Sequence, residues 1–386
     1  MDYEKQLSHI ASDIKPSGIR KFFSLAAEMT DVISLGVGEP DFKTPWAIRK
    51  AGMDSLDKGR TFYTANAGLS ALQEEICRYL SRRFDMHYAP NQTLVTVGGS
   101  EGIDLCIRAL VNPGDEVLIP EPCFVAYSPI VQLTGGVAVP IVTKEEDDFR
   151  LTAEALAAAI TPKTKLLVFP FPNNPTGAVM RRRHLEEIAG VLRDTGVMVL
   201  SDEIYAELTY GGKHVSISGI EGMKERTVVI NGFSKAYAMT GWRLGYAVGP
   251  KPIMDVMHKI HQFAIMCAPT ASQYAAIEAL RGCDDEIEAM AKEYNMRRRL
   301  VVDRLNKMGL HCFEPEGAFY VFPSIQSTGL TSQVFCERLI HEKKIAVVPG
   351  DAFGDCGEGF VRISYSYSVK HLQEAMARIE EFLGTL

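Results

Sequence analysis

The chain has 386 residues, of which 46% are hydrophobic and 23% charged, with a formal net charge of −7. That length predicts two domains, or one large domain with a smaller partner, rather than a single simple core. The acidic balance (sequence pI about 5.8) argues against nucleic acid as a partner, because phosphate backbones are held by basic surfaces.

No apolar run reaches the roughly eighteen residues a membrane span needs, so no membrane association is expected. The opening Met-Asp-Tyr-Glu-Lys-Gln has neither a basic region nor an apolar stretch behind it, which predicts no signal peptide. Eight cysteines are scattered without a C-x-x-C pair. They read as reduced, mostly buried thiols of a cytoplasmic protein.

The hydrophobic pattern alternates short apolar runs with longer helical ones. Residues 94–97 predict a strand. Residues 100–111 predict a helix with Ile103, Ile107 and Leu110 on one face. Strands are expected at 115–119, 137–142, 165–171, 197–200, 227–230 and 244–248, and helices at 125–134 and 184–195. Such alternation means a mostly parallel sheet with helices on both faces. From 286 to 308 apolar residues recur at helical spacing, which predicts one long helix leading into a second unit. Short strands at 318–322, 345–348 and 361–365 make that unit a small α+β domain. The expected division is an N-terminal segment 1–44 packing with the small domain, a large domain 45–285 and a small domain 286–386.

Ligands of open α/β sheets bind beyond the carboxyl ends of the strands, and the chain's notable polar residues follow strands. Lys235 stands in Asn231-Gly-Phe-Ser-Lys-Ala-Tyr-Ala-Met-Thr-Gly-Trp-Arg243, amid small and apolar neighbours. Desolvation there would lower the lysine pKa and suit Schiff-base chemistry with an aldehyde. Taken alone, a lysine in a turn is far more often a surface residue, since exposure is the norm for Lys. Asp202 follows the apolar run Val197-Met-Val-Leu. Its carboxylate suits a protonated ring nitrogen, and equally a helix N-cap or a core salt bridge. Phe171-Pro-Asn-Asn-Pro-Thr-Gly177 is a rigid turn after a strand. Val97-Gly-Gly-Ser-Glu-Gly102 joins a strand to a helix N-terminus, where backbone N–H groups hold anions. It is neither a dinucleotide fingerprint nor a P-loop. Arg362 lies in an apolar strand and wants a carboxylate, whether of a substrate or of an internal ion pair.

The stretch around Lys235 resembles the cofactor-attachment signature of class I/II pyridoxal-phosphate aminotransferases, with a small residue, Lys and a later Gly-x-Arg in the same order. The similarity runs from about Val32 to the C-terminus. It is nearest to the bacterial and archaeal branch of alanine, aspartate, aromatic and N-acetyl-diaminopimelate aminotransferases. The resemblance implies the fold type I architecture, with a mostly parallel seven-stranded sheet in the large domain. It implies pyridoxal 5′-phosphate as cofactor and a homodimer with shared active sites. Residue by residue, it implies Lys235 as the cofactor lysine and Asp202 at the ring nitrogen. Tyr205 and Asn174 fall at the phenolic oxygen and Phe124 on the ring. Gly99, Ser100, Glu101, Ser234 and Arg243 fall around the phosphate. Tyr63 reaches a neighbouring subunit's phosphate, Arg362 takes the α-carboxylate, and Gly38 lies in a loop over the substrate.

The expected reaction is ping-pong transfer of an amino group from an L-amino acid, with alanine or another small neutral donor favoured, to a 2-oxo acid such as 2-oxoglutarate. A carbon–sulfur β-lyase on the same fold is the alternative. A regulator with an aminotransferase-like domain is disfavoured, since the N-terminal forty or so residues show no helix-turn-helix and no basic patch. His258 and His261 lack a third ligand, so no metal is expected. The basic runs 181–183 and 297–299 read as solvated helix faces. Phe319 or Tyr320 falls near the substrate or in the core. Ser17-Gly-Ile-Arg20 stands as a candidate substrate contact or a plain helix start.

Overall fold

A computed structural model describes residues 1, 3, 5–16, 18 and 29–386; Ser17, Ile19 and Arg20 lie outside the described residues. Its centre is a seven-stranded sheet in the order β2-β8-β7-β6-β5-β3-β4. The strands are β2 (Thr93–Thr96), β3 (Glu116–Glu121), β4 (Val137–Val142), β5 (Thr164–Phe169), β6 (Met198–Asp202), β7 (Thr227–Gly232) and β8 (Gly245–Val248), with β1 (Ile33–Ser34) lying apart. All neighbours pair in parallel except β8, which runs against both β2 and β7.

The strands are apolar on both faces because both faces are covered. In β5, Leu166 and Val168 pack into a core with Ile103, Ile107 and Met257. Leu167 and Phe169 point the other way, into a core with Leu185, Ile188 and Leu192. This two-residue alternation places helices Gly98–Leu110 and Lys251–Ala264 on one side and Arg182–Leu192 on the other. A further layer joins helices Trp46–Asp57, Ser70–Phe84 and Thr270–Gly282 through Ile48, Leu72, Ile76, Ala275 and Ala279.

The long helix runs Asp284–Lys307 and links two cores. Ile287 is buried with the large domain's helical layer, whereas Met290, Tyr294, Val301 and Leu305 belong to the second core. That second core holds a three-stranded antiparallel sheet of β11 (Val348–Pro349), β12 (Val361–Ser364) and β9 (Tyr320–Val321). Helices Ser332–Lys343 and Val369–Leu383 pack on it through Phe335, Leu339, Leu372 and Ile379. The N-terminal strand β1 pairs in parallel with β10 (Ile345–Ala346), so the loop after β1 is carried by this second unit.

Several local expectations need correction. The strand expected to reach Phe171 ends at Phe169, because Pro170 and Pro172 have no N–H to offer the ladder. The helix expected from Ser100 begins at Gly98. Arg297 and Arg298 do not lie on a solvated face; both are buried. Arg297 donates to both oxygens of Asp41 at 2.8 and 2.9 Å, and Arg298 to Glu314 at 2.8 Å. Their planar heads lie over Phe42 and Tyr210, so rings shield what water would otherwise solvate. Arg181 is likewise half-buried and paired with Glu316, while Arg182 and Arg183 are exposed as expected.

Candidate active site

The polar motifs converge because their strands are parallel and end on one side of the sheet. Asp202 closes β6, Ser234 and Lys235 follow β7, and Asn174 follows β5. The helix Gly98–Leu110 starts directly after β2. These residues line a cavity of about 350 Å³ with Gly38, Phe124, Tyr205, Arg243, Tyr320 and Arg362.

Gly98 sits at φ +74°, and a Cβ there would stand 2.8 Å from Nη2 of Arg243. The positive φ favours glycine, and the missing Cβ lets the guanidinium come close. The result is a helix N-terminus pressed against a guanidinium, with Gly99, Ser100 and Ser234 lining the same cavity. Arg243 is itself left-handed, at φ +50°. Oriented N–H groups and a fixed cation make a cradle for a dianion.

Lys235 donates a 2.6 Å hydrogen bond from Nζ to the Gly38 carbonyl. Burial, then the nearby Arg362 guanidinium, bring its pKa down to about 8, against the opposing pull of Glu39. A minority of the amine is therefore neutral at pH 7, far more than for an exposed lysine. Asp202 is buried, with Oδ2 accepting from the Tyr127 hydroxyl at 2.7 Å and Oδ1 from the Ile204 N–H at 3.2 Å. Burial pushes its carboxyl above the usual range, and the two donors only partly offset that. A buried carboxylate in this position calls for a cationic partner.

Arg362 is also buried. Its Nη1 donates to Asn174 Oδ1 at 2.8 Å and its Nη2 to the Gly36 carbonyl at 2.5 Å, while Nε has no partner among the described residues. The guanidinium lies between the rings of Tyr320 and Phe353, 4.5 and 4.8 Å from their centroids. A buried cation with an unspent donor fits an incoming carboxylate. Phe124 lines the cavity edge-on to Tyr127, with ring centroids 5.7 Å apart.

Two expected residues lie outside the cavity. Tyr63 is 80% exposed. Glu101 turns its carboxylate away, to the Val97 N–H at 2.5 Å and His261 Nδ1 at 2.7 Å. Its backbone N–H stays in the first turn of the helix, where the phosphate is expected, while its carboxylate, which would repel an anion in the cradle, finds donors behind it. His261 is thereby engaged with Glu101, and among the described residues no group of three His, Cys, Asp or Glu side chains is placed to hold a metal. Sequence reasoning missed Tyr127 and Glu39. Tyr127 follows Phe124 by only three residues, and that nearness was the available signal.

The donor set fits pyridoxal 5′-phosphate group by group: a dianion cradle, a buried carboxylate for a ring cation, a partly neutral amine for an aldehyde, and an aromatic wall. The family model for "Aminotransferase class I and II" matches residues 30–379. The putative aminotransferase YugH of Bacillus subtilis (strain 168) is 55% identical over 378 residues, covering 98% of each chain. The aspartate aminotransferase of Pyrococcus abyssi is 47% identical over 377 residues, covering 96% of each. The crystal structure of the aromatic aminotransferase from Pyrococcus horikoshii OT3 superposes with a TM-score of 0.90 at 44% identity, covering 95% of this chain and 99% of that one.

Proposed function

The chain belongs to the class I and II aminotransferase family, whose members use pyridoxal 5′-phosphate, and on that premise we propose how its residues divide the work of moving an amino group from an L-amino acid to a 2-oxo acid. Bound here, the cofactor supplies an aldehyde carbon for the amino group and an electron-poor ring that takes up the electrons left at Cα. The observation that carries the reading is the convergence of Lys235, Asp202, Arg243 and Arg362 on one cavity.

Gly99, Ser100, Ser234 and Arg243 hold the phosphate, and the backbone N–H of Glu101 adds to the helix terminus. Asp202 faces the ring nitrogen and keeps it protonated, while Tyr127 fixes that carboxylate's direction. Phe124 packs on the ring. Tyr205 and Asn174 donate to the phenolic oxygen; Asn174's carbonyl is spent on Arg362, which leaves its amide N–H groups for this role. Arg362 takes the substrate's α-carboxylate with its planar guanidinium. Gly38 and its neighbours close over the substrate. Lys235, once released, removes the Cα proton with its neutral Nζ and returns it at C4′ of the cofactor. A second oxo acid, 2-oxoglutarate in this reading, reverses the steps, which gives ping-pong kinetics.

The donor is proposed to be small and neutral, alanine first. Among the described residues lining the cavity the cations are Lys235, Arg243 and Arg362. Each has a role, and none is left for a second substrate carboxylate. Aspartate is the second reading, favoured by the relative from Pyrococcus abyssi, whose printed name is aspartate aminotransferase. Single-turnover spectra of the holoenzyme with alanine and with aspartate decide between them. Loss of the visible band with alanine, restored by 2-oxoglutarate, supports the first. Release of ammonia and pyruvate from cystathionine without an acceptor would replace transfer by β-elimination.

A homodimer with shared sites is part of the same proposal. Phe62, Tyr63 and Phe263 are 81%, 80% and 86% exposed. Their segments are tied together by Thr270 Oγ1 donating to the Phe62 carbonyl and Asn66 Nδ2 to that of Met266. An aromatic patch of this kind is what a subunit interface covers. Tyr63 would then reach the partner's phosphate. Eight free cysteines fit a cytoplasmic setting. Among the described residues no helix is long and apolar enough to cross a membrane.

A further inference from the structure

Tyr320 stands in the cavity without a part in the scheme above. It is buried on β9, the edge strand of the small sheet, and contacts three elements of the site. Its hydroxyl lies 2.8 Å from that of Tyr205. Its ring supports the Arg362 guanidinium. Its hydroxyl also fills the space beside Gly38, where any Cβ would collide with it. Gly38 is the residue whose carbonyl accepts from Lys235.

The direction of the Tyr205–Tyr320 bond follows from proton counting. Each phenol has one proton to donate. If Tyr205 spends its proton on the cofactor's phenolic oxygen, its own oxygen is left to accept, and Tyr320 is the hydroxyl within reach. A donor into Tyr205 polarises the outward O–H and strengthens what it donates.

We propose that Tyr320 is a positioning residue of the transfer reaction: its hydroxyl donates to Tyr205, aims Tyr205 at the cofactor's phenolic oxygen, and couples that bond to the seating of the small domain. The inference rests on the placement of pyridoxal phosphate and Tyr205 proposed above. Donation to a phenolic oxygen favours its anionic form, so removing the relay makes the bound chromophore hold its proton to higher pH.

The test is a pH titration of the visible absorption of the holoenzyme, in wild type and in Tyr320→Phe. The variant keeps the ring against Arg362, so the KM for the amino donor stays at the wild-type value. The titration midpoint rises by about half a unit to one unit, the shift expected from one lost hydrogen bond. Gly38→Ala, which displaces the Tyr320 hydroxyl without deleting it, moves the midpoint in the same direction and serves if Tyr320→Phe fails to fold. In a Tyr205→Phe background Tyr320→Phe adds nothing. An unchanged midpoint in both single variants, or a full additional shift without Tyr205, overturns the inference. A wild type with no visible band after incubation with pyridoxal phosphate overturns the underlying placement instead.

Discussion

The hydroxyl of Tyr127 donates to Oδ2 of Asp202 across a buried distance of 2.7 Å. Tyr127 opens the crossover helix between β3 and β4 whereas Asp202 ends β6, and the bond fixes a carboxylate that burial alone would leave protonated more readily. Tyr127→Phe removes one donor to a charged group and should lower kcat by about tenfold to a hundredfold. Asp202→Asn, which leaves a neutral group facing the ring nitrogen, should cost at least about a hundredfold. Steady-state kinetics on the two variants check the order. Equal, small losses would show that Asp202 does not face the ring.

Lys235 gives a prediction in pH. Burial lowers its pKa to about 8 from 10.5. The rate at which the apoprotein takes up pyridoxal phosphate should therefore rise through a midpoint near that value. The sign for stability follows from the same shift. Between the folded and unfolded values the unfolded chain binds more protons, so stability rises with pH across that window. Lys235→Met apoprotein should melt above wild-type apoprotein at pH 7, and the advantage should shrink toward pH 10. Thermal denaturation at the two pH values is the check.

Arg362 presents an unpartnered Nε in a buried slot between two rings. Lysine keeps the charge but loses the planar fork. Arg362→Lys should lower kcat/KM for the amino donor by about two to three orders of magnitude, as loss of a buried charge-paired contact does. The visible spectrum of the bound cofactor should be retained. If the spectrum vanished too, Arg362 would be holding the cofactor rather than the substrate.

Glu121 ends β3 next to Asp355, and burial followed by that like charge raises its carboxyl pKa to about 7. A raised acid contributes most below its unfolded value of 4.5 and loses that contribution as pH rises through 7. Glu121→Gln should raise the thermal midpoint at pH 8, by about 2 °C for a chain of this size, and the difference should shrink markedly at pH 5. A uniform shift at both values would point to packing instead of charge.

Much of this site was legible in the sequence because strand ends carry it. A run such as Val197-Met-Val-Leu declares a strand by itself, and the residues after it must lie beyond the strand's carboxyl end. Lys235, Asp202, Asn174 and the Gly98–Ser100 turn all follow such runs, and the structure brings them to one cavity. What could not be read depends on partners distant in sequence. Tyr127 and Asp202 are 75 residues apart, and Tyr205 and Tyr320 are 115 apart. Arg297 looked like a solvated charge because its partner, Asp41, lies 256 residues away. The direction of the Glu101 side chain was equally hidden, because His261, which its carboxylate meets, sits on another helix. Pattern reports which face of an element is apolar, but not which polar group lies opposite.

The most direct test of the central claim is chemical. The holoenzyme, incubated with pyridoxal phosphate, is reduced with borohydride, digested and mapped by mass spectrometry. A phosphopyridoxyl group is expected on the peptide carrying Lys235, and none after prior treatment with an amino donor that converts the cofactor. An adduct on another lysine, or none in a protein that stays folded, would contradict it.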